Sequence, residues 1–350
     1  MADEGKIDVH SHFLPPFYRK ACLETGHGKP DGMPALPVCP SSNLFLLAKR
    51  LTKLQEWDED THLEFMRDAF ISKSIISISS PGVSLYLGDK MSNSELARKC
   101  NNFADALMNR YPEKFGFWAS LPLPDVEDSL AEIAYCTNHL KPAGFALETN
   151  HQGTYLGDPS LDPVFAELNR IKAKVFIHPT TPCCKHIGDN DSYKPITFLP
   201  KFPNPMFEFM FDTARALINL FSSGTISRCP DITFVIPHAA GALPPILQRF
   251  SSISNMLMRS ELDLSNKALK ETFRKQFFFD LAGFPFPDQI HGLLRIVGPE
   301  RLLYGSDYPF TPALGVKMLA VEMKGGLEEI FEDEAVREGI YKGNAERLLV

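Results

Sequence analysis

Short runs of apolar, β-branched and aromatic residues recur along the chain, at 6–10, 71–79, 114–120, 144–148, 173–178, 232–237, 276–281 and 301–305. Several are unbroken rather than alternating, among them Val175-Phe176-Ile177, Thr233-Phe234-Val235-Ile236 and Phe277-Phe278-Phe279. Continuous apolar strands mark a sheet buried on both faces, which is the parallel case. Between the runs lie helix patterns. The first, 58–70, has an acidic start and a Leu63, Met66, Phe70 face, and 93–111 opens on a Ser92/Asn93 cap. Further helices are read at 125–140, 161–172, 205–221, 243–258 and 287–297, and the residues after Asp307 read as helical, ending with 344–349. Eight alternations predict right-handed βαβ units, which close most simply into an α/β (β/α)8 TIM barrel.

Two segments exceed a minimal barrel: a Pro- and Gly-rich stretch at 15–54 after strand 1 and the proline-rich stretch 179–205 after strand 5. Long insertions at the C-terminal ends of barrel strands build or cover active sites. The chain has 350 residues, where about 150 per domain would suggest two. The strand count favours one barrel domain across 1–350, with the excess placed in the insertions and extra C-terminal helices. No internal repeat is evident.

Acidic residues outnumber basic ones, 43 against 36, which argues against a nucleic-acid groove. No apolar stretch reaches the roughly 18 residues of a membrane helix, and the acidic start 1–6 lacks the features of a signal peptide. Seven cysteines without regular spacing suggest reduced thiols and a cytoplasmic protein.

The candidate chemistry gathers at the strand ends. Asp8-Val9-His10-Ser11-His12 closes the first run, and residues i and i+2 of a strand point the same way, so His10 and His12 can reach one metal. Alone, His-x-His is a weak signal. His178 follows the fifth run, however, His238 the sixth and Asp307 the eighth. In a closed barrel these ends converge on one axis. Imidazole nitrogens and carboxylate oxygens suit Zn²⁺, with Mn²⁺ or Fe²⁺ as alternatives. Five groups exceed what one open site needs, which leaves one free for acid–base work.

These motifs carry a resemblance over residues 7 to about 349. Asp8-Val9-His10-Ser11-His12-Phe13-Leu14-Pro15, His178-Pro179, Pro237-His238-Ala239-Ala240-Gly241 and Tyr304-Gly305-Ser306-Asp307-Tyr308-Pro309-Phe310 resemble the amidohydrolase superfamily, and within it the non-oxidative decarboxylases. Gly343-Asn344-Ala345 is similar to the branch's last helix. The resemblance implies that His10, His12, His178 and Asp307 hold one Zn²⁺ and that His238 stays off the metal and handles protons. It also implies that Arg249, eleven residues after His238, reaches a neighbouring subunit's site, which requires a homodimer. Arg50, seven residues before Trp57, matches a substrate-carboxylate arginine. Strand 4 carries no lysine to bridge two metals, which supports a mononuclear site. Glu148 is the one possible substitute there, and a polar strand end or outward side chain is the plainer reading.

The implied reaction is decarboxylation of a small aromatic acid, 6-methylsalicylate to 3-methylphenol (m-cresol) and CO₂ in the favoured form, with the proton delivered by His238 or Asp307. Phe13, Trp57, Phe284, Phe286, Tyr308 and Phe310 flank the motifs and are candidates to line the pocket. Cys183 and Cys184 read as lid residues. The alternatives are decarboxylation of aminocarboxymuconate semialdehyde, a lactonase or other hydrolase on the same scaffold, and a metal-binding scaffold protein without activity.

Overall fold

The computed structural model describes residues 5–27, 57–185, 193–199, 201–257 and 262–350. Eight strands form one sheet: β1 (Lys6–His12), β2 (Ile71–Ser77), β3 (Phe115–Ser120), β4 (Gly144–Glu148), β5 (Lys174–His178), β6 (Thr233–Ile236), β7 (Phe277–Asp280) and β8 (Leu302–Leu303). They are hydrogen-bonded in that order, each pair parallel. The ring closes between its first and last members. Val9 N–H donates to the Tyr304 carbonyl at 3.1 Å, and Ser11 bridges Tyr308 in parallel. The expected (β/α)8 barrel is therefore present.

The boundaries differ in instructive ways. Strand β1 runs two residues past the predicted end, so both histidines of His-x-His lie within it. Strand β8 is only two residues long, because the Gly305–Asp307 segment leaves the ladder. The helix expected at 93–111 is Lys90–Arg110, capped by Asp89, whose carboxylate accepts from Ser92 N–H, rather than by Ser92 or Asn93. The helix expected at 287–297 is shortened to α7 (Gln289–Leu294), after the cis peptide Phe286–Pro287. Between β6 and β7 two helices run in succession, α5 (Leu243–Leu257) and α6 (Asn266–Gln276), where one was anticipated. The described part of the first insertion holds α1 (Pro16–Glu24). It is followed by α2 (Glu59–Asp68), α3 (Lys90–Arg110) and, after β5, α4 (Asn204–Ser222). The second insertion holds an antiparallel hairpin, Cys183–Lys185 against Tyr193–Pro195.

Inside the barrel, one or two side chains from each strand form an apolar plug: Ile7, Val9, Ile75, Trp118, Ala146, Phe176, Val235, Phe278 and Leu303. Ala345 and Leu348 of the last helix, Asn344–Leu349, join it. The Asn344 amide donates to the Pro299 and Leu302 carbonyls, 2.8 and 2.7 Å away, and pins that helix beneath β8. A larger cluster fills the space between strands and helices. Burying each Leu, Ile or Phe contributes about 1.5–3 kcal/mol.

The candidate metal centre at the barrel mouth

Period two along a strand carries the inward face from the plug to the mouth. Two residues beyond Ile75, Trp118, Ala146, Phe176 and Phe278 stand Ser77, Ser120, Glu148, His178 and Asp280, all buried. Strand β1 needs a further device. Ile7 and Val9 face the plug, so strict alternation would turn His10 outward. A one-residue bulge intervenes, since Asp8 pairs with Ser74 but Ser11 with Ile76. It shifts the phase and brings His10 and His12 inward. The backbone groups it frees are all satisfied. The Trp118 indole N–H donates to the Val9 carbonyl (2.9 Å) and His10 N–H to Asp8 Oδ1 (3.1 Å), and the His10 carbonyl accepts from Asp307 N–H (2.8 Å).

His10, His12, His178 and Asp307 offer one ligand atom each, all within 4.8 Å of one another. His10 Nε2 lies 3.1 Å from His12 Nε2, and Asp307 Oδ1 lies 3.5 and 3.2 Å from those two nitrogens. Four tetrahedral ligands about 2.1 Å from a cation would stand about 3.4 Å apart, so these spacings fit a divalent metal. The tautomers fit as well. His10 Nδ1 faces Asp280 Oδ2 at 3.0 Å, His12 Nδ1 faces Ser77 Oγ at 3.1 Å and His178 Nδ1 faces Glu148 Oε2 at 3.4 Å. Each contact holds a proton on Nδ1 and leaves the Nε2 lone pair for a ligand bond.

Burial pushes the His10 and His12 imidazoles below their usual range, which keeps them neutral. Burial raises Asp307, but the His12 hydrogen bond and the surrounding imidazoles outweigh it and hold the carboxyl well below the usual range. Burial raises Asp280 and Glu148. Burial also lifts Asp8 to about 7, despite the hydrogen bonds it accepts from Ser306 Oγ and the Ser306 and His10 N–H groups.

His238 arrives by a different route. It opens a turn whose residues are left-handed, with φ of 52° at His238, 51° at Ala239, 66° at Ala240 and 55° at Gly241. For non-glycine residues this costs roughly 1–2 kcal/mol each. At Gly241 a Cβ would lie 2.5 Å from the Met210 carbonyl oxygen, so only glycine fits. The His238 ring centroid ends 4.9 Å from that of His10, and its Nδ1 faces the Ala282 carbonyl at 3.2 Å. Asp280 spans both groups, with Oδ2 on His10 and Oδ1 accepting from His238 N–H at 3.1 Å. That bridge accounts for the second close cluster, His10, His238 and Asp280.

The remaining predicted residues fare differently. Glu148 is a correction: it turns inward, buried against His178, instead of outward. Phe284 is 78% exposed and so does not wall a pocket within one chain. Trp57 is packed into the core on Phe13 and Phe103, with its indole N–H donated to His62 Nδ1 at 2.9 Å. Arg249 is exposed on α5. Arg50 lies outside the described residues. Phe310 presents an edge contact to His12 and Phe209 of α4 one to His178, of which only Phe310 was anticipated. Asp280 and Ser77 were missed, yet counting two from the plug residues Phe278 and Ile75 finds both.

Comparison with known proteins identifies relatives along most of the chain. The chain is 33% identical over 357 residues to decarboxylase macB of Penicillium terrestre, covering 98% of this chain and 94% of that one. It is 33% identical over 311 residues to the 6-methylsalicylic acid decarboxylase of Penicillium expansum, covering 88% and 86%. In fold it resembles the 5-carboxyvanillate decarboxylase of Novosphingobium aromaticivorans solved with manganese, at a TM-score of 0.80 and 19% identity over 99% of this chain and 97% of that one. Residues 7–349 match the Amidohydrolase family, and with a relative 33% identical along almost its whole length, the chain belongs to that family.

Proposed function

We propose that this chain is a carboxy-lyase, a metal-dependent, non-oxidative decarboxylase of a small hydroxybenzoate-type acid, with 6-methylsalicylate as the favoured substrate and m-cresol and CO₂ as products. The observation that carries it is the cluster of buried His10, His12 and His178 with half-buried Asp307, and His238 beside it, in a chain a third identical to named decarboxylases. His10, His12, His178 and Asp307 would hold a divalent ion, and the chemistry it would supply is Lewis-acid stabilisation of the negative charge that develops on the substrate. The donor set suits Zn²⁺, and Mn²⁺ is the alternative.

The chain's own groups do the rest. His238 keeps its Nδ1 proton on the Ala282 carbonyl, so Nε2 is the nitrogen that exchanges protons with the substrate. A proton goes to the ring carbon that bears the carboxylate, the C–C bond breaks, and its electron pair returns to the ring. Asp307 is the second candidate for the proton, but its Oδ1 already faces His10 and His12. Phe310 and Phe209, against the ligand imidazoles, suit an aromatic ring.

The partner in this reading is a second copy. Helices α4 and α5 pack together and expose Phe207, Phe211, Ile253 and Met256 near Arg249, an apolar face whose covering by a homodimer would place Arg249 at a neighbour's mouth. Dilution that dissociates the dimer would then lower specific activity. No described helix is long and apolar enough to cross a membrane. The buried thiols of Cys100, Cys136 and Cys229 suit the cytoplasm.

The test is incubation of the zinc- and manganese-loaded protein with salicylates, the aminocarboxymuconate semialdehyde and a pyrone lactone, following CO₂ and product mass. CO₂ with a phenol supports the reading. Ring opening of the lactone without CO₂ would establish the hydrolase instead.

A further inference from the structure

We infer that Gln289, first residue of α7, is a positioning residue for the proton-handling imidazole, acting through the backbone of the His238–Gly241 turn; the assignment rests on the decarboxylase reading above. Its Nε2 donates to the His238 carbonyl at 2.7 Å and to the Gly241 carbonyl at 3.0 Å. These are the first and last residues of the left-handed turn, so one amide ties its two ends. Both Nε2 hydrogens are engaged. The amide oxygen cannot take that place, because both partners are acceptors.

The other supports of the turn come from different sides. Asp280 Oδ1 accepts the His238 N–H, and the Ala242 N–H donates to the Met210 carbonyl of α4 at 3.0 Å. Neither reaches the His238 or Gly241 carbonyl, although the turn also closes on itself, the Gly241 N–H donating to the His238 carbonyl at 2.9 Å. Without the Gln289 donor the turn would keep that internal bond, but both of its ends would lose their tie to α7, and the turn could relax toward right-handed geometry, where His238 no longer faces His10. The ring's Nδ1 would then leave the Ala282 carbonyl, and the tautomer that presents Nε2 would no longer be selected. Among the described residues Gln289 hydrogen-bonds to none of the metal-ligating side chains, so its influence runs through where His238 stands.

The experiment compares zinc-loaded wild type, Gln289→Met, Gln289→Glu and His238→Ala. It measures kcat and KM per bound metal, thermal stability, and the ¹⁵N signals of the histidine rings, with His238 assigned by its loss in His238→Ala. Methionine keeps the length without a donor, and glutamate keeps the shape but sets oxygens against the carbonyls. Both should bind metal normally, keep KM, and lose about 10-fold to 100-fold in kcat, with the His238 signals moving from one tautomer to a mixture. If Gln289→Met does not fold, Gln289→Glu carries the comparison. Wild-type kcat per bound metal with an unmoved His238 signal overturns the assignment, as does an activity loss that follows only lost metal or lost folded protein. Full activity in His238→Ala would instead overturn the decarboxylase role of His238, and the ring signals would still decide whether Gln289 holds it.

Discussion

The lower and upper halves of the barrel interior share eight strands and differ in almost everything else. The lower half is a dry plug around Trp118 and Phe176, whose rings stack 5.8 Å apart. Two residues further along the same strands, the upper half consists of serine, glutamate, histidine and aspartate. The lower half is mostly regular strand geometry, with one register shift between Lys6 and Ile7 of β1. The upper half contains the β1 bulge and the left-handed residues His238, Ala239, Ala240 and Asp307. Apolar side chains need only fill space, whereas ligand atoms must meet at a point, and the backbone bends to bring them there. The division predicts that changes above alter chemistry and leave the fold, while changes below alter the fold first.

The largest effect is expected above. His238→Ala should lose about 10²–10⁴-fold in kcat while retaining its metal and its unfolding midpoint. Wild-type turnover beside metal analysis would remove His238 from the mechanism. Below, Trp118→Ala should cost about 3–5 kcal/mol in urea unfolding. Trp118→Phe, which keeps the ring but orphans the Val9 carbonyl under the bulge, should cost about 1–3 kcal/mol and weaken metal binding. Loss of stability without loss of metal affinity would show that the bulge stands without its indole. Stripping the metal with a chelator should abolish activity and lower stability by about 3 kcal/mol when the ion had stood at a hundred times its dissociation constant. His178→Ala should reproduce the loss of metal.

The smallest effect lies outside both halves. Burial lowers His62 to about 3, and its Nε2 has no hydrogen-bond partner among the described residues. The unfolded chain takes up this proton near pH 6.5 and the folded chain only near pH 3, so stability falls as pH drops through that window. At pH 5 the share of His62 is about 2 kcal/mol. If His62→Gln has the same pH 7 to pH 5 loss as wild type, the assignment of that slope fails.

Much of this was legible in the sequence because burial on both faces leaves unbroken apolar runs, and a polar residue just beyond such a run stands out. That signal placed His178, His238 and Asp307 at one mouth. It would also have placed Asp280, which closes Phe277-Phe278-Phe279, had carboxylates been weighed as second partners of histidines. The phase of β1 was not legible, since the bulge depends on Trp118 and Ser306, which are remote in sequence. The orientation of Phe284 and Trp57 was not legible for a related reason. Nearness to a motif says nothing about which way an aromatic ring turns, and these two ended in solvent and in the core.

The ring's closure has a consequence for how the protein is made. His12 and Asp307 are 295 residues apart, on the first strand and just past the last. Strand β1 has one neighbour until β8 arrives, so a nascent chain still missing its final fifth can shelter most of the plug and yet offers an ion only the three imidazoles. Ion capture at these residues would thus mark completion of the circle, and a chain halted before Asp307 should emerge as a scaffold with a weakened hold on a metal.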